Sequence, residues 1–265
     1  MSGLIRLAHV ALSSPDPERL AVGYGAQVGL VVSGTDPLRL TTNDYAHCLE
    51  IHEGEQGLHH IAFEVLDASA FDGETVEAHG YADATEIVDP EGNTVRFVSG
   101  AERTNAIEPG DRAFRPKKLG HVGVCAGDPA GQIAFYEALG FKLTDWIGDR
   151  VGFLRCNPDH HVLVFVASER RGVHHVAYEV GSFEDFARQA DLLAAHGVRV
   201  DWGPGRHAPS RNYFMYFDDV DGNRIEWVNS IRQIAEDGTH AVQVFDPTVE
   251  TTWNVWGPQP PPDFV

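Results

Sequence analysis

The sequence predicts an α+β protein of four βαβββ modules, two in each half of the chain, and three observations carry that prediction. The chain repeats itself, its hydrophobic period alternates between strand-like and helix-like within each half, and caps and glycines stand where the helix-like segments begin and end. The repeat is anchored at three places. Leu7-Ala8-His9-Val10-Ala11-Leu12 is echoed by Leu119-Gly120-His121-Val122-Gly123-Val124, an offset of 112 residues. Gly57-Leu58-His59-His60-Ile61-Ala62-Phe63-Glu64-Val65 is matched throughout by Gly172-Val173-His174-His175-Val176-Ala177-Tyr178-Glu179-Val180, an offset of 115. The segment from Asp89 to Val98 returns as Asp219 to Val228 at an offset of 130. The growth from 115 to 130 places an insertion in the second half, expected around Trp202 to Tyr216.

Each histidine-bearing run is β-branched and of strand length, so the histidines fall on strands. After the His121 strand, Asp128 and Pro129 form an N-cap and first-turn pair. Ile133, Phe135, Tyr136 and Leu139 then give an apolar face, and Gly140 stops the helix. After the His175 strand, Ser182 with Asp185 three positions on starts a helix that ends at Gly197. Glu91-Gly92-Asn93 and Asp221-Gly222-Asn223 are tight turns between strands. Residues 101 to 117, with Pro109, Gly110 and Pro116, form the linker. The expected domains are 1–110, 111–232 and an irregular tail from 233, ending in Pro258 to Pro262.

Composition narrows the function. Hydrophobic residues make up 43% and charged residues 22% of 265 positions, which is that of a globular protein with a sizeable core. Thirty-nine acidic against twenty basic side chains give a net charge of −19, which argues against nucleic acid and anionic membrane as partners. No apolar run is long enough for a signal peptide or membrane span. Cys48, Cys125 and Cys156 are too few and scattered for a disulfide framework or thiolate metal site, which points to a reducing cytoplasm.

Three positions in the second half are candidate ligands for a divalent cation: His121, the histidine at 175 and Glu226. Two imidazoles and one carboxylate leave coordination positions open, the set that suits non-haem Fe(II) oxygenases. Singly, each has an ordinary explanation, because a histidine in an apolar strand is most often a hydrogen-bonded core residue and a strand glutamate most often faces solvent. The repeat sharpens the choice. The first half keeps His9 and His60 but has Arg96 in the place of Glu226, and a guanidinium cannot ligate a cation, so only the second half is expected to bind metal.

These segments resemble the extradiol (type I) ring-cleaving dioxygenases of the vicinal oxygen chelate superfamily, which includes glyoxalases and bleomycin-resistance proteins, over nearly the whole chain. The resemblance implies two vicinal-oxygen-chelate domains, an N-terminal domain without metal, and Fe(II), less often Mn(II), on His121, His175 and Glu226. In the family the ligand precedes a strand-closing acidic or polar residue by four, which selects His175 with Glu179 and turns His174 the opposite way. Gly205-Arg206-His207 and Tyr213-Phe214-Met215-Tyr216 resemble a family loop in which His207 lines the pocket and Tyr216 hydrogen-bonds a substrate oxygen. On residues alone, the favoured reading is a surface His207 on a Gly-Pro-rich loop and a half-buried Tyr216 on a strand. Cys156-Asn157-Pro158-Asp159-His160-His161 resembles a third segment, which assigns His161 to charge stabilisation and proton transfer at the oxygen site and leaves His160 as the outward neighbour.

The implied reaction is insertion of both atoms of O2 into a catechol-type aromatic, giving a hydroxymuconic semialdehyde-type product; the family also implies a homo-oligomer. A glyoxalase-like metal-dependent isomerase or transferase, or a metal-free small-ligand-binding protein, is the alternative on this scaffold. One departure bears on the substrate. Family members that act on acidic catechols carry arginine just before a tryptophan near the C-terminus, whereas here Thr251 and Thr252 precede Trp253; Arg150, Arg206 or Arg211 is the candidate substitute.

Overall fold

The structure is a computed structural model that describes residues 3–107, 114–262 and 264. The chain divides into two compact units, Met1–Leu119 with Asp219–Gly222, and Gly120–Asp218 with Asn223–Val265. Pro109, Gly110 and the expected boundary after residue 110 lie outside the described residues.

In the N-terminal unit the first module runs β1 (Leu4–Ser14), α1 (Pro17–Val28), β2 (Val31–Thr35), β3 (Leu38–Thr41) and β4 (Leu49–Glu53). The second runs β5 (Gly57–Val65), a single 3-10 turn at Ala68–Ala70, β6 (Glu74–Thr75), β7 (Asp83–Val88) and β8 (Thr94–Ser99). The expected helix of the second module is thus reduced to one turn. Asp67 caps that turn by accepting from the Ser69 amide at 2.9 Å, but Phe71 is already extended and Gly73 follows, so there is no room for a second turn.

In the C-terminal unit the third module is β9 (Lys118–Ala126), α2 (Pro129–Ala138), β10 (Lys142–Ile147), β11 (Val151–Arg155) and β12 (Leu163–Ala167). The fourth is β13 (Val173–Glu179), α3 (Phe183–Ala195), β14 (Trp202–Arg206), β15 (Tyr213–Asp218) and β16 (Arg224–Asn229). Both helices start as the sequence expects. Asp128 accepts from the Gly131 amide at 3.0 Å behind Pro129, and the Ser182 amide and hydroxyl both donate to the Asp185 carboxylate, at 2.6 and 3.0 Å. Each helix buries one stripe under the sheet: Ile133 and Tyr136 from α2, Phe186, Gln189 and Leu193 from α3. Full burial of one such aromatic or aliphatic side chain contributes roughly 1.5–3 kcal/mol.

The insertion sits elsewhere than expected. Paired positions Glu74↔Glu86 and Gly205↔Phe214 show the β6–β7 and β14–β15 hairpins to be of similar length, so the additional residues are those of α3 and its flanks, before Trp202. The tail also departs from expectation. It carries β17 (Gln243–Phe245), parallel to β10, and a short helix α4 (Glu250–Trp253), and Phe245 and Trp253 pack against the cluster of Ile147, Val151, Phe153, Val164 and Val166.

The sheet orders are β2-β3-β4-β1-β5-β8-β7-β6 and β14-β15-β16-β13-β9-β12-β11-β10-β17. In each, the first strands of the two modules lie side by side at the centre, each flanked by the fourth strand of its own module. That layout decides which side chains can meet.

Candidate metal centre

Because side chains alternate along a strand, register fixes who shares a face. Glu226 on β16 pairs with Ala177 on β13, two residues on from His175, so His175 and Glu226 project to the same face. Tyr216 on β15 is directly opposite Glu226, and His121 comes from the adjacent central strand β9. The three donor atoms converge: His121 Nε2 lies 3.0 Å from His175 Nε2 and 2.9 Å from Glu226 Oε2, and His175 Nε2 lies 3.3 Å from Glu226 Oε2. Ligand atoms about 2.1 Å from one ion stand about 3 Å apart at right angles, so the spacing fits three adjacent positions around a divalent cation. Glu226 Oε2 and His121 Nδ1 are buried without a hydrogen-bond partner, and the close Glu226–His121 approach lacks hydrogen-bond alignment. That is the signature of donors aimed at a common point rather than at each other.

Glycine makes space for this. Gly123 on β9 lies under the His175 ring, and a Cβ there would run into Cε1 and Nδ1 of that imidazole. The ring is held from the other side as well. His174 Nε2 lies 2.7 Å from the Phe264 carbonyl and 3.0 Å from Arg224 Nη1, which itself donates to that carbonyl at 3.0 Å. Its Nδ1 lies 2.7 Å from His175 Nδ1, so the far side of the His175 ring is braced while Nε2 faces the centre. The expectation that His174 points the opposite way is corrected. At the very start of β13 its ring folds beside His175 and lines the same cavity.

His161 follows the same logic. Asp145 Oδ2 accepts from His160 Nε2–H at 3.0 Å, so His160 Nδ1 accepts a hydrogen bond from His161 Nδ1–H at 2.9 Å and His161 presents a bare Nε2. Its ring centroid lies 4.2 Å from that of His121, and it lines the cavity, whereas His160 is turned to Asp145. On the opposite wall His207 Nδ1 donates to the Trp253 carbonyl at 2.7 Å, and its Nε2 stands 3.1 Å from the Tyr216 hydroxyl and 3.7 Å from Glu226 Oε1. His121, His175, Glu226, His161, His207 and Tyr216 thus all surround one cavity. Sequence reasoning missed Asp145, the Phe264 and Trp253 carbonyls, and Asn212, whose amide reaches Glu226 Oε1 at 3.5 Å. A buried aspartate beside Trp146 is the one signal that was available for Asp145; backbone carbonyls leave none.

Burial sets the charge states. It pushes the pKa of His175 well down against the pull of Glu226, and pushes His161 well down with help from His121, so both are neutral near pH 7. Burial and the Glu226 charge raise Tyr216 well above its ordinary value. Burial also opposes ionisation of Glu226, but the surrounding His121, His207 and His175 outweigh it and hold the carboxyl well below the usual range. His175 therefore offers a neutral imidazole lone pair and Glu226 a carboxylate, the protonation that metal binding requires.

Residues 118–227 match the Glyoxalase/Bleomycin resistance protein/Dioxygenase superfamily. Metapyrocatechase 2 of Cupriavidus necator is 29% identical over 97% of this chain and 90% of its own length. Among solved structures, a variant of homoprotocatechuate 2,3-dioxygenase from B. fuscum superimposes with a TM-score of 0.90 at 21% identity, over 98% of this chain and 81% of that one. The Mn(II)-bound glyoxalase from Novosphingobium aromaticivorans gives a TM-score of 0.89 at 24% identity, over 99% and 94%. At these identities the two structures establish likeness of fold.

Proposed function

We infer that this chain, whose residues 118–227 form a domain of the glyoxalase/bleomycin resistance protein/dioxygenase superfamily, is an extradiol ring-cleaving dioxygenase. The observation that carries this is the convergence of His121, His175 and Glu226 with His161, His207 and Tyr216 around a single apolar-walled cavity. A divalent ion held there would supply Lewis acidity and a common template for the two hydroxyls of a catechol and for O2.

The rest is done by the protein. His161, neutral and with Nε2 free, takes up a proton at that atom and holds negative charge nearby once protonated; Asp145 through His160 supports the positive imidazole. Tyr216, kept protonated, directs its one O–H to the bare Nε2 of His207 and can redirect it to a bound substrate oxygen. Ile147, Phe153, Val166, Trp202, Trp253 and Phe264 exclude water and face the ring. The product is a hydroxymuconic semialdehyde-type compound. Fe(II) is the proposed ion, with Mn(II) accepted by the same ligands. Cys48, Cys125 and Cys156 form no disulfide among the described residues, which supports a reducing cytoplasm, and among the described residues no helix is long and apolar enough to cross a membrane. The resemblance supports a homo-oligomer, which light scattering checks.

The glyoxalase neighbour supports a second reading, metal-dependent isomerisation without oxygen. Anaerobic loading with Fe(II) or Mn(II), followed by oxygen uptake and yellow product across a catechol panel, separates the two. Stoichiometric O2 consumption is expected, and turnover without it would replace the proposal by the isomerase. Glu226→Gln should lose both metal and activity, because an amide cannot balance the cation's charge; full metal occupancy by elemental analysis, with normal turnover, would remove Glu226 from the centre.

A further inference from the structure

We propose that the N-terminal unit holds a second divalent metal site, of the closed kind that takes Zn(II), built from His9, Glu50 and His60 with His47 as fourth donor. It is independent of the dioxygenase reading. Sequence comparison of the two halves expected no metal here, because Arg96 occupies the place of Glu226. The structure supplies a carboxylate from another strand. Glu50 lies on β4, opposite Ala11 of β1, just as Val164 on β12 lies opposite Gly123 of β9. The acid thus flanks the central strand pair on the side of β4 rather than that of β8.

The donor atoms of His9, Glu50 and His60 lie within 4.8 Å of one another and all three side chains are buried. His9 Nε2 is 2.9 Å from His60 Nε2, close to the 3.0 Å between His121 and His175. Glu50 Oε1 is 4.0 Å from His9 Nε2, and Oε2 is 3.7 Å from His60 Nε2, too long for hydrogen bonds. Donors in a tetrahedron about 2.0–2.1 Å from an ion stand about 3.3 Å apart, so the mixed spacings bracket what a small ion needs. His47 is fully buried, and its Nε2 lies 2.9 Å from Glu50 Oε1, yet neither of its ring nitrogens has a hydrogen-bond partner. That same combination of closeness and misalignment marks Glu226 and His121 in the other unit. His59 Nδ1 backs His60 Nδ1 at 2.8 Å, as His174 backs His175. Arg96 Nη1 stands 3.4 Å from His60 Nε2, but Glu86 holds its Nε at 2.8 Å and balances its charge.

Co(II), a spectroscopic stand-in for Zn(II), provides the test. Metal-stripped full-length protein is titrated, with metal counted by equilibrium dialysis and coordination read from visible absorption. Wild type should bind two equivalents, and a chain carrying His121→Ala and Glu226→Gln should bind one, with the intense bands of a four-coordinate ion. Adding Glu50→Gln, or His60→Asn should that variant misfold, should remove it. One equivalent in the wild type and none in the His121→Ala, Glu226→Gln chain would overturn the proposal, as would a remaining equivalent that survives both N-terminal substitutions.

Discussion

Contacts behind the ring decide how His175 is presented. Its Nδ1 meets His174 Nδ1, and His174 Nε2 is in turn held by the Phe264 carbonyl and Arg224 Nη1, so the ring is braced with Nε2 toward the centre. Asp145 does the same for His161 through His160. His161→Phe should therefore keep metal and catechol binding while slowing turnover by roughly 10²-fold or more, the usual loss for a positioned acid-base group. Single-turnover kinetics with preloaded enzyme and substrate check it; a His160 variant that slows turnover as much while His161→Phe turns over normally would transfer the role. Gly123 is a sharper probe of packing. Its added Cβ in Gly123→Ala must displace the His175 ring, so metal affinity should fall, on the order of tenfold or more, with little change in global stability. Dialysis against a chelator, alongside thermal unfolding, reads the two effects apart.

Strands made most of this readable from sequence. The repeat and the period-2 runs put His121, His175 and Glu226 on strands, and Asp128-Pro129 and Ser182 with Asp185 announced α2 and α3. Four features were hidden, each for a physical reason. The single turn at Ala68–Ala70 follows a sound cap, yet the chain is already extended at Phe71. The insertion was assigned to the Trp202 loop because an offset counts residues without locating them. Glu50 escaped because comparison of the halves looks for an acid in the same place, whereas neighbouring strands can deliver one from either flank. The tail looked irregular because Pro258 to Pro262 and scattered valines give no period, yet β17 finds an edge in β10 and Trp202 Nε1 donates to the Pro258 carbonyl at 2.9 Å. Truncation after Pro258 keeps that anchor but removes Phe264, the acceptor for His174 and a wall of the cavity. Metal affinity should drop about 10- to 100-fold, as for other lost supports of a ligating histidine. Unchanged affinity, measured by competition with a chromophoric chelator, would show that Phe264 is not needed to hold His174 and His175.

The net charge of −19 and the cavity's walls together select among substrates. No arginine or lysine lines the cavity among the described residues, and its walls away from the metal ligands are mainly aliphatic and aromatic. Of the arginines that were candidates to greet an acidic substituent, Arg206 and Arg211 instead line a neighbouring recess with Phe245 and Val255, behind His207, where Arg206 Nε donates to the Arg211 carbonyl at 3.0 Å. Arg150 is not part of the cavity wall either. A carboxylate entering this space would lose its hydration without gaining a cation, at a cost of several kcal/mol, whereas a neutral alkyl or aryl group gains about 25 cal/mol for each Å² it buries against Trp253 and its neighbours. The long-range field of an anionic protein adds a smaller penalty that salt screens beyond a Debye length of about 10 Å. Neutral substituted catechols should therefore exceed their carboxylate analogues in kcat/KM by about tenfold or more, and raising ionic strength should narrow that gap only slightly. Paired oxygen-uptake assays at two salt concentrations check both statements. A tenfold preference for the acid would refute the neutral cavity, and a gap that closes at high salt would trace the discrimination to the protein's field rather than to its walls.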